Sequence, residues 1–142
     1  MAVRAYYRED LALAQLEVAL RLFFEDSHFA AVVTLAGAAD EVFGQLLAAQ
    51  GRVSSLEILK KSVAEIHMKM YGEEIESSTV ANRANRARNS LKHWSPGQPE
   101  IVKFDLIQEA TDMLFRAIDN YWALKQTLTP EMERFQRATR AA

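Results

Sequence analysis

Five glycines and three prolines in 142 residues, set between long stretches whose apolar residues recur every three or four positions, leave this chain little but helix to build with. A half-buried strand needs alternation with a period of two and frequent turn residues at its ends, and the sequence supplies neither. The expected fold is all-α: an up-down bundle of four to five main helices plus a short C-terminal helix, forming one domain over residues 1–142. With 49% apolar and 25% charged residues, the chain has the composition of a globule with one core.

The first helix is expected from about Tyr6 to Phe24. Leu13, Leu16, Leu20, Phe23 and Phe24 gather on one side, and Leu11, Val18 and Leu22 on nearly the opposite one. A helix apolar on two sides needs two neighbours, and the second can be another copy of the chain, so a homodimer is expected. Ser27 is the expected N-cap of a second helix, His28 to about Gln50, with a core stripe of Phe29, Val32, Val33, Ala36, Phe43, Leu46 and Leu47. Gly37, in the run AGAAD, costs helix propensity but lets another backbone come close. Ser54 and Glu57 have the spacing of a capping box, opening a third helix that carries Leu56, Leu59, Val63, Ile66 and Met70 to Gly72.

Ser77 or Ser78 can cap a fourth helix, which the loop SPGQPE stops just after His93 and Trp94. A fifth helix is expected from about Phe104 to Leu128, with Ile107, Leu114, Ala117, Ile118, Tyr121 and Leu128 inward. Thr129 and Pro130 read as cap and first position of the short last helix. No cysteine is present, which excludes disulfides, thiolate metal sites and a cysteine nucleophile, and suits the cytoplasm. The N-terminal residues lack the continuous apolar run of a secretory signal, and FAAVVTLAGAA is shorter than the roughly 20 residues of a membrane span. No membrane association is expected.

Chemistry concentrates on the fourth helix. Between Ser77 and Pro99 stand Arg83, Arg86, Arg88 and Lys92 without a single carboxylate, although the whole chain carries a net charge of −2. Val80, Ala84, Ala87, Leu91 and Trp94 share one side and are expected in the core, while Asn82, Arg86, Asn89 and His93 line the opposite side. Arg88 and Lys92 flank that polar stripe. Asparagine is a mediocre helix former, so Asn82, Asn85 and Asn89 weaken a helix that Lys or Glu would support, which favours a binding surface over a merely solvated one.

The stretch RNSLKH resembles the HEPN superfamily, small helical domains marked by R-x-x-x-x-H near the end of a late helix, most often with Asn directly after the Arg. Arg88, Asn89 and His93 match that pattern, and the chain length, helix order and the AGAADE run extend the likeness over most of residues 5–128. The resemblance implies a metal-independent ribonuclease that works as a dimer, with motifs of two protomers meeting in one cleft. It implies RNA or a nucleotide as ligand, a place in toxin–antitoxin or defence systems, and an antitoxin or nucleotidyltransferase as a further partner. Many such toxins carry, two places after the His, a tyrosine that the antitoxin modifies. This chain has Ser95 there, a departure that speaks against that mode of regulation and against toxin identity, and leaves the nuclease chemistry open.

The residue types suit such chemistry in their own right. RNA brings its own nucleophile, the 2′-hydroxyl, so the protein need supply only a proton donor or acceptor and charge for the phosphorane. His93 suits the first task, Arg88 the second through bidentate pairing, and Asn89 can orient either; Arg83, Arg86, Lys92 and Asn82 would hold phosphate or RNA. No cofactor or metal is expected. On an ideal helix Arg88 and His93 lie about 140° apart, which a site shared by two copies accommodates better than one stripe.

Other readings are weaker. Glu25 and His28 form one E-x-x-H, half of what a di-iron bundle needs. His67, at the edge of the third helix's apolar stripe, reads as a packing residue. A DNA-binding helix-turn-helix would bring the carboxylates of GEEIE against the DNA backbone. The alternative to cleavage is a non-catalytic HEPN-like module that binds RNA, a nucleotide or a protein partner.

Overall fold

The computed structural model describes residues 2–141 and holds, among them, seven helices and no strand: α1 Arg8–Phe24, α2 Phe29–Ala49, α3 Ser55–Tyr71, α4 Ser77–Ala84, α5 Arg86–Lys92, α6 Leu106–Lys125 and α7 Pro130–Arg140. The fold is the all-helical bundle expected from the spacing. Local chemistry accounts for most of the ends. Ser54 Oγ accepts the Glu57 N–H at 3.3 Å, but the Glu57 carboxylate turns to Lys60 at 2.7 Å, so only half of the capping box forms. Gly72, at φ 66°, stops α3 in a conformation that costs a side chain energy. Asp105 caps α6 by accepting the Gln108 N–H at 3.0 Å, and Thr129 caps α7 with Pro130 in its first turn.

The start of α2 departs from expectation. Ser27 does not cap it; the N-cap is His28, in the left-handed region at φ 59°, and Asp26 is left-handed as well at φ 52°. The chain must reverse between Glu25 and His28, and these two residues take up the reversal, bringing Phe23 edge-on to Phe29 at 5.8 Å.

Helix α2 is the centre of the bundle, packed chiefly against α1 and α6. Its Val32, Val33, Phe43 and Leu47 are fully buried with Leu16 and Leu20 of α1, Leu114 and Ile118 of α6, and Met132 and Phe135 of α7. By length and composition α2 could cross a membrane; in the bundle its apolar side chains form the core. Leu11 and Val18, on the second side of α1, stay exposed.

Helix α3 is covered on one flank only. It contributes no buried residue, and Leu59, Ile66 and Met70 of its expected core stripe are exposed. His67 is tied locally, its Nδ1 3.0 Å from the Glu73 carbonyl and its ring 4.9 Å from that of Tyr71, as suits a packing residue.

The expected fourth helix is two helices, broken at Asn85 (φ −105°, ψ 8°). A side chain from α6 causes the break to be stable: Arg116 Nη1 donates to the Ala84 carbonyl at 3.1 Å and to Asn85 Oδ1 at 2.9 Å, satisfying backbone and side-chain acceptors at the interruption. The expected core side is only partly buried. Asn85 and Ala87 are buried, whereas Leu91 and Trp94, expected in the core, are 39% and 57% exposed. Trp94 lies beyond the end of α5, where helical spacing no longer governs its direction.

Candidate functional site

The basic residues of α4 and α5 point in different directions. Arg88 turns inward across α2: its Cδ and Cγ lie over Gly37 so closely that a Cβ there would be 2.6 and 2.9 Å away. Its Nη1 stands 3.5 Å from Glu41 Oε2, and the side chain is only 18% exposed. Nε is buried without a hydrogen-bond partner. Gly37 thus admits a close neighbour, but that neighbour is the side chain of the motif's arginine and not the backbone expected from the sequence.

Beneath Arg88 lies a buried polar network. Asp40 Oδ2 accepts from Arg116 Nη2 at 2.7 Å and Oδ1 accepts from Asn120 Nδ2 at 3.0 Å. Asn120 Oδ1 in turn accepts the Ser55 N–H at 2.7 Å, tying the start of α3 to α6. Burial raises the Asp40 carboxyl above its ordinary value, and the neighbouring charges of Arg116 and then Arg88 oppose that rise. Arg88 therefore belongs electrostatically to the carboxylates of α2.

A substitution at Gly37 tests this placement. Gly37→Leu should lower stability by about 1–3 kcal/mol, since Arg88 must leave its groove and the core cannot absorb the added volume. Gly44→Ala, whose Cβ would meet only ordinary contacts of 3.5 and 3.6 Å, should lose nothing. Urea midpoints of the two variants check the difference; equal losses would show that Gly37 is not a packing point for Arg88.

His93 faces elsewhere. It is the C-cap of α5, in extended conformation at φ −129° and ψ 130°, with its N–H donated to the Asn89 carbonyl at 2.9 Å, and its side chain is exposed. It lines an open groove of about 760 Å³ between α5 and the returning loop, together with Arg86, Asn89, Trp94, Gln98 and Lys103. The loop is set by a turn in which the Gln98 N–H donates to the Ser95 carbonyl at 3.0 Å and Gln98 Oε1 accepts the Ser95 N–H at 2.9 Å. Gly97 takes φ 95° there. Arg86 donates to the Lys103 carbonyl and sits 5.9 Å from the centre of the Phe104 ring, which joins the two walls.

Charge distinguishes this groove. No carboxylate lines it, whereas four other grooves on the described surface each include at least one: Glu109 and Asp112; Asp119; Glu65 and Glu74; and Asp40, Glu41 and Glu57. Arg83 belongs to the first of these, opposite Glu109 and Asp112. The Glu109 carboxyl is raised by burial and by Asp112, with Arg86 opposing. Asn82 and Lys92 are exposed and line none of these five grooves.

Of the residues singled out in the sequence, Arg86, Asn89 and His93 come together; Arg88 does not join them within one chain, and Arg83, Asn82 and Lys92 lie apart. Trp94, Gln98 and Lys103 were missed as site residues. Their signal was the loop SPGQPE, whose return has to lay residues 98–103 beside the helix it leaves. Compared with family models, with curated proteins and with solved structures, the chain matches none.

Proposed function

We propose that the protein binds RNA in the His93 groove and, as an HEPN-type endoribonuclease, cleaves it there by attack of the 2′-hydroxyl on the adjacent phosphate, breaking the bond to the 5′-oxygen of the next nucleotide and leaving a 2′,3′-cyclic phosphate and a 5′-hydroxyl. One observation carries this reading: an exposed imidazole stands among cations and amides in a groove that contains no carboxylate. Such a lining attracts a phosphate backbone and leaves a proton carrier free to act on it. His93 takes or gives the proton, Arg86 and Lys103 hold phosphate oxygens, and Asn89 orients the bound group. The guanidinium for the phosphorane comes from Arg88 of a second copy, exchanging Glu41 for phosphate.

A second reading is favoured by a separate observation. Arg88 is held by Glu41 and lines a different groove from the one His93 lines, which suits a module that binds RNA without cutting it. Incubating the purified protein with mixed RNA in excess EDTA separates the two. Fragmentation abolished by His93→Ala supports the nuclease; retention that weakens steeply with salt and yields no fragments supports the binding module. A protein that neither retains nor cuts RNA overturns both.

A further inference from the structure

A phosphate backbone needs cations, and the groove offers more than cations. At its mouth stand Trp94, 57% exposed, and the apolar loop residues Ile101 and Val102, 76% and 52% exposed. Leaving an indole and two β-branched side chains more than half in water beside Arg86 and Lys103 forgoes part of the stabilisation that their burial would give. Trp94 is off the helix and directly precedes a turn closed by one backbone and one side-chain hydrogen bond between Ser95 and Gln98, and it is more than half exposed.

From this we infer that Trp94 is a stacking platform for an unpaired nucleobase, and that the groove takes single-stranded RNA with its backbone along Arg86 and Lys103. The inference rests on the RNA reading above and narrows it to a strand conformation. An indole face stacks on any base, because every base has a π-face, whereas a duplex keeps its bases stacked internally and offers a protein little but backbone and groove edges. The groove volume of about 760 Å³ falls in the range of about 300–1,000 Å³ typical of sites for one small ligand, which fits one or two extruded nucleotides. An acidic polypeptide would find the same cations, but its carboxylate side chains would gain nothing from a free indole face.

The chain has two tryptophans, so Trp122→Phe, remote from the groove on α6, leaves Trp94 as the sole indole reporter. In that background an eight-nucleotide oligouridylate should quench Trp94 emission, while a duplex of equal length and an abasic ribose-phosphate oligomer should not. Trp94→Ala should weaken oligouridylate binding about 5- to 150-fold, and Trp94→Phe should keep most of it. Equal affinity of Trp94→Ala, or equal quenching by the abasic oligomer, overturns the platform. The RNA groove itself survives that result if Lys103→Ala still loses RNA. If wild-type protein holds neither oligomer, or holds polyglutamate in preference to both, the platform and the RNA reading fall together.

Discussion

Arg116→Met is expected to lower the unfolding free energy by about 3–5 kcal/mol at neutral pH, the cost of leaving one partner of a buried ion pair alone. Against a usual total of about 5–15 kcal/mol this is a large fraction. Asp40 is 4% exposed and would lose its 2.7 Å pair, while the Ala84 carbonyl and Asn85 Oδ1 would lose the donor that stabilises the break between α4 and α5. The loss should depend on pH with a definite sign. Burial already raises the folded Asp40 carboxyl, and Arg116 is the strongest force against that rise; without it the folded state holds the proton more readily than the unfolded state. Stability of the variant therefore increases as pH falls through the window between the ordinary aspartate value and the raised one. Urea midpoints at about pH 7.5 and about pH 5, the lower lying nearer the ordinary aspartate value, should show a smaller deficit at the lower pH. Asp40→Leu combined with Arg116→Met should recover part of the loss, since no charge is then stranded, although the Ala84 carbonyl and Asn85 Oδ1 still lack their donor. A deficit that ignores both pH and the second substitution would mean that the pair is not what holds this region together.

His93→Ala is expected to reduce RNA cleavage by about 10²- to 10⁴-fold, the usual contribution of a positioned acid or base, without moving the urea midpoint. Stability should be spared because the imidazole is exposed and makes no contact that the core depends on. Arg88→Ala should be as inactive, and the two defective proteins together test where the guanidinium comes from. If each site combines His93 of one copy with Arg88 of the other, a mixed dimer holds one complete site and one empty of both groups. Random exchange of subunits should then restore about a quarter of wild-type activity, because about half of the dimers are mixed and each has one working site. No restoration would place both groups in one chain and discard the shared site. Cleavage undiminished in His93→Ala would discard the nuclease altogether.

The helices and several of their ends were legible because their causes are local. Apolar spacing, the Ser54 and Thr129 caps, Gly72 and the loop at Pro96 each act within a turn of their own position. The break at Asn85 was not, because Arg116 stabilises it from 31 residues away. Ser27 failed as a cap for a related reason: the reversal between α1 and α2 is set by the packing of Phe23 on Phe29, which overrides the local preference of a serine. The candidate site was legible in its residue types and only half legible in its geometry. Asn89 and His93 could be read as a pair because they are one turn apart. The direction of Arg88 depends on Gly37 and Glu41, and no spacing rule links those positions to the motif.

Helix α3 hangs on the bundle by few attachments: the Asn120 link at its first residue, and one flank laid against α4 and α6. A segment secured in this way can detach while α1, α2 and α6 keep their core intact, since little apolar area has to be returned to water for it to leave. Its amides should trade deuterium well before those of α2, and the first site to yield to a protease should lie at its edges, giving this small protein a door that opens long before the house comes down.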